Sequence, residues 1–396
     1  MSHFFPADIL LPKNDIDKWA VVACDQYTSE PEYWDDVERI VGDKPSALNI
    51  ILPEVFLKKD NSRRIEKINK TMEKYLEDDV FELHENSMIY VERQSHGTIR
   101  KGVVGVIDLE EYNYHQGAHA LIRATEQTVV DRLPPRIEIR RNALLEMPHI
   151  LLLIDDPKRS VIEPLKNRKY DYADAYKFSL MKHGGNIRGW FLDDKGIKHV
   201  QYALDRLIEG QDDQMLFAVG DGNHSLATAK ECYERSKNPL ARYALVEIVN
   251  IHDESIQFEP IYRVLFNVDE RDFIEKFEEY TSKNGDGKYQ LFNFIAHGAA
   301  GSIYVRSTAK LPIGTLQHFI DIYAEDHPKM TVDYIHGADV VASLSKSKGT
   351  LGFIFDGMSK SELFPAIRAD GSLPRKTFSM GHAEDKRFYI EVRKIK

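Results

Sequence analysis

Met215-Leu216-Phe217-Ala218-Val219, then Gly220-Asp221-Gly222-Asn223-His224-Ser225, then Leu226-Ala227-Thr228-Ala229-Lys230-Glu231 is the stretch that decides the reading of this chain. The first block is a compact apolar run of strand length, and the last is rich in good helix formers with no Gly or Pro. The pattern predicts a strand, a tight glycine turn and a helix start. A helix N-terminus presents unpaired backbone N–H groups and the positive end of a dipole, so it suits an anion such as phosphate. Glycine lets the backbone approach a ligand closely, and Asp221 with His224 offers a base, a metal ligand or a hydrogen-bonding pair. The plainer alternative is an Asp-Gly turn in which His224 only caps or packs.

Away from the turn, strand-like and helix-like runs mix without clean alternation. Pro31 to Ile40 and Ser62 to Glu77 have helical spacing, while Ser87 to Arg93, Ile99 to Ile107 and His149 to Ile154 read as strands. A helix is expected from Ala118 to Asp131, and a hairpin corner at Trp190 to Gly196. The expected class is α+β or mixed-sheet α/β with two domains. Residues 1–265 would form the main domain, and 266–396 a smaller one whose C-terminal segment returns to the site.

Hydrophobic residues make up 42% of the 396 and charged residues 29%, ordinary for a soluble globular protein with a large core. Lys plus Arg number 53 against 63 Asp plus Glu, a net −10 that disfavours a nucleic-acid-coating protein. No run approaches the roughly 20 apolar residues of a membrane span, and Cys24 and Cys232 form no CxxC pair, so a cytoplasmic location is expected. A homo-oligomer is compatible with this composition. There is no GxxxxGK[ST] loop, HExxH, GxSxG or kinase signature, and Gly220-Asp221-Gly222 lacks the third glycine of a dinucleotide fingerprint.

Other segments carry candidate chemistry. Arg123, Glu126 and Val130 share one face of the expected helix, with Asp131 and Arg132 just beyond. Arg123 and Arg132 could grip a phosphate through their forked donors, and Glu126 could act as a base or a metal ligand. A salt-bridged solvated helix is the simpler account. Asp155-Asp156 follows an apolar strand, where carboxylates can hold Mg²⁺; an Asp-capped turn before Pro157 is the simpler account here too. Lys376-Thr377, after Leu373-Pro374-Arg375, is a basic and hydroxyl pair suited to a phosphate, and His382 follows shortly after.

Taken together and in order, these segments resemble a known family. The segments are Arg123-Ala124-Thr125-Glu126-Gln127-Thr128 with Asp131-Arg132-Leu133, Asp155-Asp156-Pro157, Asp221-Gly222-Asn223-His224 and Pro374-Arg375-Lys376-Thr377. Their order is that of the microbial family called domain of unknown function 1015, and the likeness runs from Phe5-Pro6 to Met380-Gly381-His382-Ala383. Many members carry Asp-Gly-His-His-Arg at the turn, whereas this chain has Asp-Gly-Asn-His-Ser, with Ser225 in place of the arginine. That form of turn is similar to the phosphate-binding turn of the ParB/sulfiredoxin-like superfamily, which includes a free-serine kinase.

The resemblance implies an enzyme acting on a phosphorylated small molecule or nucleotide, a phosphotransferase or a phosphate-ester hydrolase, with serine or phosphoserine an attractive substrate. Under that reading His224, Asp221 and Glu126 are the catalytic candidates. Gly222, Asn223, Ser225, Arg123, Arg132, Lys376 and Thr377 would bind phosphate, and Asp155 with Asp156 would hold a metal. Mg²⁺ and a nucleotide are the cofactors it admits. The competing expectation is a non-catalytic nucleotide- or metabolite-binding regulator.

Overall fold

A computed structural model describes residues 2–22, 27, 30–56, 61–127, 133–147, 149–381 and 385–396. The chain divides into two units: Met1–Ile256 with Gly381–Lys396, and Gln257–Met380.

The first unit opens with β1 (Ala7–Pro12), α1 (Ile16–Trp19), α2 (Pro31–Val41) and α3 (Ser62–Glu77). β2 (Phe81–Ser87), β3 (Ile89–Ser95), β4 (Thr98–Asp108), β5 (Tyr112–Asn113) and β6 (Ile122–Ala124) follow. Next come α4 (Leu133–Arg141), β7 (Leu145–Glu146), β8 (Leu151–Ile154), β9 (Ala173–Ser179) and β10 (Asn186–Phe191). α5 (Asp194–Leu207), β11 (Phe217–Asp221), α6 (Asn223–Ser236) and β12 (Tyr243–Asn250) complete the run.

Nine strands form one mixed sheet in the order β5-β6-β11-β8-β12-β4-β3-β10-β9. β6 runs parallel to β11, β11 antiparallel to β8, and β8 parallel to β12. Successive side chains of a strand face opposite sides, and both sides of this sheet are apolar. Val104, Val106 and Leu245 enter one core with α2 and α3, while Val103, Ile107, Ala244 and Val246 enter the other with Leu226, Ala227 and Tyr233 of α6. That double burial explains why β8 reads Leu-Leu-Leu-Ile with no polar alternation.

The second unit holds β13 (Phe258–Phe266), α7 (Glu270–Asn284), β14 (Tyr289–Ala296), β15 (Ala299–Arg306) and α8 (Pro312–Asp326). It continues through β16 (Thr331–His336), α9 (Ala338–Leu344), β17 (Thr350–Ile354), α10 (Leu363–Asp370) and β18 (Phe378–Met380). Its sheet runs β15-β14-β17-β13-β16, with β18 added to β13. Residue 265 lies inside β13, so the change of unit falls at Ile256 rather than at the more charged sequence after 265.

The chain then rejoins the first unit through 381–396, where β19 (Arg393–Lys394) pairs with β7. Buried charge fixes this return. Arg93 donates to the carbonyls of Gly184, Asp385 and Lys386 at 2.7–3.0 Å, and Arg387 donates to Glu247 at 2.8 Å and Glu391 at 2.6 Å. All these side chains are nearly inaccessible, so each charge depends on its partners.

Two local expectations fail for physical reasons. The helix expected over Ala118 to Asp131 gives way to β6, because Ile122-Arg123-Ala124 pairs in parallel with Phe217-Ala218-Val219 and buries both apolar side chains. Residues 128–132 lie outside the described residues. The hairpin corner at Trp190 to Gly196 is a helix start, because Asp193 accepts the Gly196 N–H at 2.7 Å and caps α5.

Candidate functional site

The strand–glycine–helix pattern is present at the carboxyl end of β11, beside the end of its parallel neighbour β6 and the start of antiparallel β8. Gly222 sits at φ 86°, ψ 24° as the residue before α6. A Cβ placed there would lie 3.0 Å from Ile150 Cγ1 and 3.2 Å from Ile150 Cα, so both conformation and space call for glycine. Asp221 Oδ1 accepts the Gly222 N–H at 2.9 Å, which tightens the turn.

The first intrahelical bond of α6 runs from Leu226 N to Gly222 O at 2.9 Å, and the cap position, Gly222, has no side chain to cap the helix. Asn223, His224 and Ser225, the first residues of the helix, are each half-buried. Asn223 Nδ2 donates to Thr125 Oγ1 at 3.2 Å, and Thr125 Oγ1 donates to Val219 O at 2.6 Å, lashing the end of β6 to β11. Asn223 Oδ1 is buried with no hydrogen-bond partner among the described residues.

The returning C-terminal segment contributes residues that local sequence reading missed. Lys386 Nζ lies 3.5 Å from Asp221 Oδ2, and Tyr389 Oη is 2.6 Å from His149 Nδ1, next to Ile150. Burial holds the His149 imidazole below its ordinary pKa; the Asp221 carboxylate opposes this, and Arg387, Arg136 and Lys386 reinforce it. Lys386, His149 and Tyr389 lie in no local motif, and Lys386 is separated from the turn by all of the second unit. The weak available signal was the Arg387-to-Arg393 alternation of charged and apolar residues, which marks a buried segment needing partners.

The other candidates fall in several places. Glu126 is half-buried just past β6, next to Thr125. Arg123 is on a strand and buried: its Nε donates to Ala120 O at 2.9 Å, and its two Nη atoms embrace Asp213. The guanidinium hydrogen bond is the main cause holding the Asp213 carboxyl down to about 2. Arg123 therefore holds the loop before β11, and its fork is already engaged. Arg132, Cys24 and His382 lie outside the described residues.

The acidic pair behaves as the simpler account expected. Asp156 is fully buried and accepts the N–H groups of Ser160 and Val161 at 2.5 and 2.8 Å, capping its own loop, while Asp155 meets His252 Nε2 at 2.7 Å. Among the described residues no three His, Cys, Asp or Glu side chains gather as a metal site, and both carboxylates of the pair are engaged by protein groups. In the second unit, Lys376 is exposed with its Nζ 5.9 Å from the Tyr334 ring centre, and its carbonyl accepts from buried Arg263 at 3.2 Å. The Thr377 hydroxyl is buried and donates to Pro374 O at 2.6 Å, so it serves its own turn.

The model of the family described as "Protein of unknown function (DUF1015)" matches residues 6–377. The chain belongs to the DUF1015 family. No curated protein matches the sequence. Among solved structures, a conserved hypothetical protein from Pyrococcus furiosus is similar at 14% identity over 73% of this chain and 94% of that one, TM-score 0.38. A free serine kinase in complex with AMP is similar at 12% identity over 73% and 91%, TM-score 0.40, and a mutant of it in complex with ADP scores 0.41. SbnI with a C-terminal truncation, from Staphylococcus aureus, is similar at 10% identity over 72% and 82%, TM-score 0.36. The fold is mixed α/β, and among the described residues no helix is long and apolar enough to cross a membrane.

Proposed function

We propose that the Asp221–Ser225 turn binds the phosphate of a small phosphorylated metabolite or nucleotide, and that this DUF1015 protein is an enzyme acting there, a phosphotransferase or phosphate-ester hydrolase. The observation that carries the reading is the α6 N-terminus: its cap position is Gly222, left-handed and without a side chain, at the carboxyl ends of two parallel strands. Backbone N–H groups of a first helical turn are unpaired within the helix and carry the positive end of its dipole. A phosphate is the anion that such a turn accommodates, and the turn's likeness to the ParB/sulfiredoxin-like phosphate-binding turn belongs to the same proposal. Serine or phosphoserine metabolism is the proposed setting.

The roles follow from chemistry. The amides of Asn223, His224 and Ser225 would hold phosphate oxygens, and Lys386, whose Nζ is 3.5 Å from Asp221 Oδ2, would add a positive charge. His224, whose imidazole can take up or give back a proton, or Asp221 would move the proton, with Glu126 the further acid/base candidate. Arg123 is assigned to the scaffold through Asp213.

The experiment is a thermal-shift screen against AMP, ADP, ATP, O-phosphoserine and sugar phosphates, followed by turnover assays with each stabilising compound. Stabilisation that disappears in Gly222→Ala supports the site, and turnover that falls in His224→Ala supports catalysis. Stabilisation untouched by Gly222→Ala would refute the site. The second reading, a non-catalytic nucleotide- or metabolite-binding regulator, is favoured by Ser225, which stands where the Asp-Gly-x-His-Arg form of turn that this segment resembles has its arginine. Stabilisation with no turnover on any compound would select it.

A further inference from the structure

The opposite end of α6 borders a cavity. An α-helix rises 1.5 Å per residue, so the last turn of α6 lies roughly 20 Å from Gly222. There it meets the last turn of α4, and a cavity of about 270 Å³ opens between them and the chain end at Ile395 and Lys396. That volume is near the small end of ligand pockets, roughly 300–1,000 Å³. Its walls combine an apolar floor with cations, in a protein of net charge −10.

The arginines are incompletely matched. Arg140 Nη2 donates to buried Glu146 at 2.5 Å, yet its Nε is buried with no hydrogen-bond partner among the described residues. A buried donor left unbonded is costly, and such groups in native proteins generally have a reason. Arg141 is exposed and pairs with no carboxylate among the described residues; its backbone carbonyl accepts from Lys396 Nζ at 2.6 Å. Arg235 is 3.5 Å from Glu231, whose other oxygen accepts the Tyr114 hydroxyl. Basic residues in a last helical turn complement the helix dipole, which favours all three arginines there but gives the Arg140 Nε no hydrogen-bond acceptor.

We propose that this cavity binds an amphipathic organic anion, a carboxylate or phosphate ester with a short apolar body. Arg140, Arg141 and Arg235 would hold its head group, and Ile137, Ala241 and Ile395 would pack on its body. The site is independent of the turn.

Cys232 lines the cavity and gives the readout. The chain has two cysteines, so Cys24→Ser leaves Cys232 as the single thiol. Burial pushes that thiol's pKa up, so labelling with a disulfide reagent is run at mildly alkaline pH. Octyl phosphate is the probe, with inorganic phosphate and octanol as its separated halves. Its Kd is first measured by calorimetry in wild type and in Gly222→Ala, so that binding at the turn is not counted.

At about four times that Kd, octyl phosphate should slow Cys232 labelling about fivefold, while phosphate or octanol alone has little effect. Arg141→Gln with Arg235→Gln, which leaves the Arg140–Glu146 pair intact, should remove most of the protection. Any of three results overturns the proposal: no binding heat in Gly222→Ala, equal protection by octanol, or full protection retained in the double variant.

Discussion

Gly222→Ala is the most informative single change, because its cost can be worked from the backbone. The residue is left-handed, at φ 86°. Placing a non-glycine residue there costs about 1–2 kcal/mol. The new Cβ would also press on Ile150, 3.0 Å from Cγ1 and 3.2 Å from Cα; the second contact is to backbone and cannot be relieved by a rotamer change. Adding strain of about 1 kcal/mol and subtracting about 0.4–1 kcal/mol for the stiffer unfolded chain leaves a net loss of about 1–2.6 kcal/mol. Thermal unfolding followed by circular dichroism reads this as a drop of about 2–4 °C per kcal/mol in a domain of this size class. Two units can melt separately, so the relevant transition is the one that Ile150→Ala also shifts. Repeating the melt with a stabilising phosphate compound separates stability from binding, and the ligand-induced shift should shrink beyond the loss in the apo protein. An alanine variant as stable as wild type, or more stable, would show that the turn is not left-handed and would remove the basis for the site.

Other expected outcomes follow from the same geometry. Once a substrate is identified, His224→Ala should lower turnover by about 10²–10⁴ with a retained circular-dichroism spectrum, as loss of acid/base catalysis does; unchanged turnover would make His224 structural. Arg123→Ala should act on stability by about 2–3 kcal/mol, because it strips a charged partner from Asp213, and it should leave the affinity for a phosphate ligand close to wild type. Equal stability with weakened binding would return Arg123 to the phosphate site. His149 has a folded-state pKa below that of the unfolded chain, so the unfolded state binds the extra proton. Its contribution to stability is therefore complete above about pH 6.5 and is lost as pH falls through that value toward the folded pKa. Urea titrations of wild type and His149→Gln should diverge above pH 6.5 and converge below it, and parallel curves would refute the assignment.

The turn was legible because it is local. A strand-length apolar run, Asp-Gly and a helix former block specify the geometry within seventeen residues, Met215 to Glu231, and no distant contact needs to be known. Arg123 was not legible, since its neighbours Ala118 to Thr128 favour a helix and only pairing with β11 makes Ile122–Ala124 a strand. Asp156 shows the reverse case: Asp followed by Pro already signalled a capped turn, and the structure has that turn. Lys386, Tyr389 and His149 were invisible because a chain that leaves for the second unit and returns brings no spacing rule with it. The mixed α/β class was readable from the interleaving of runs, whereas the strand order of the nine-stranded sheet was not, since it depends on which edges pair after each crossover.

The central claim, that the α6 N-terminus holds phosphate, is tested most directly by soaking crystals in tungstate, a heavy-atom mimic of phosphate, and mapping its anomalous scattering. The account predicts a peak in contact with the backbone nitrogens of Asn223, His224 and Ser225, within about 3–4 Å of them, and its loss in Gly222→Ala crystals. Tungstate bound elsewhere on the protein, with no peak at the turn, would contradict it.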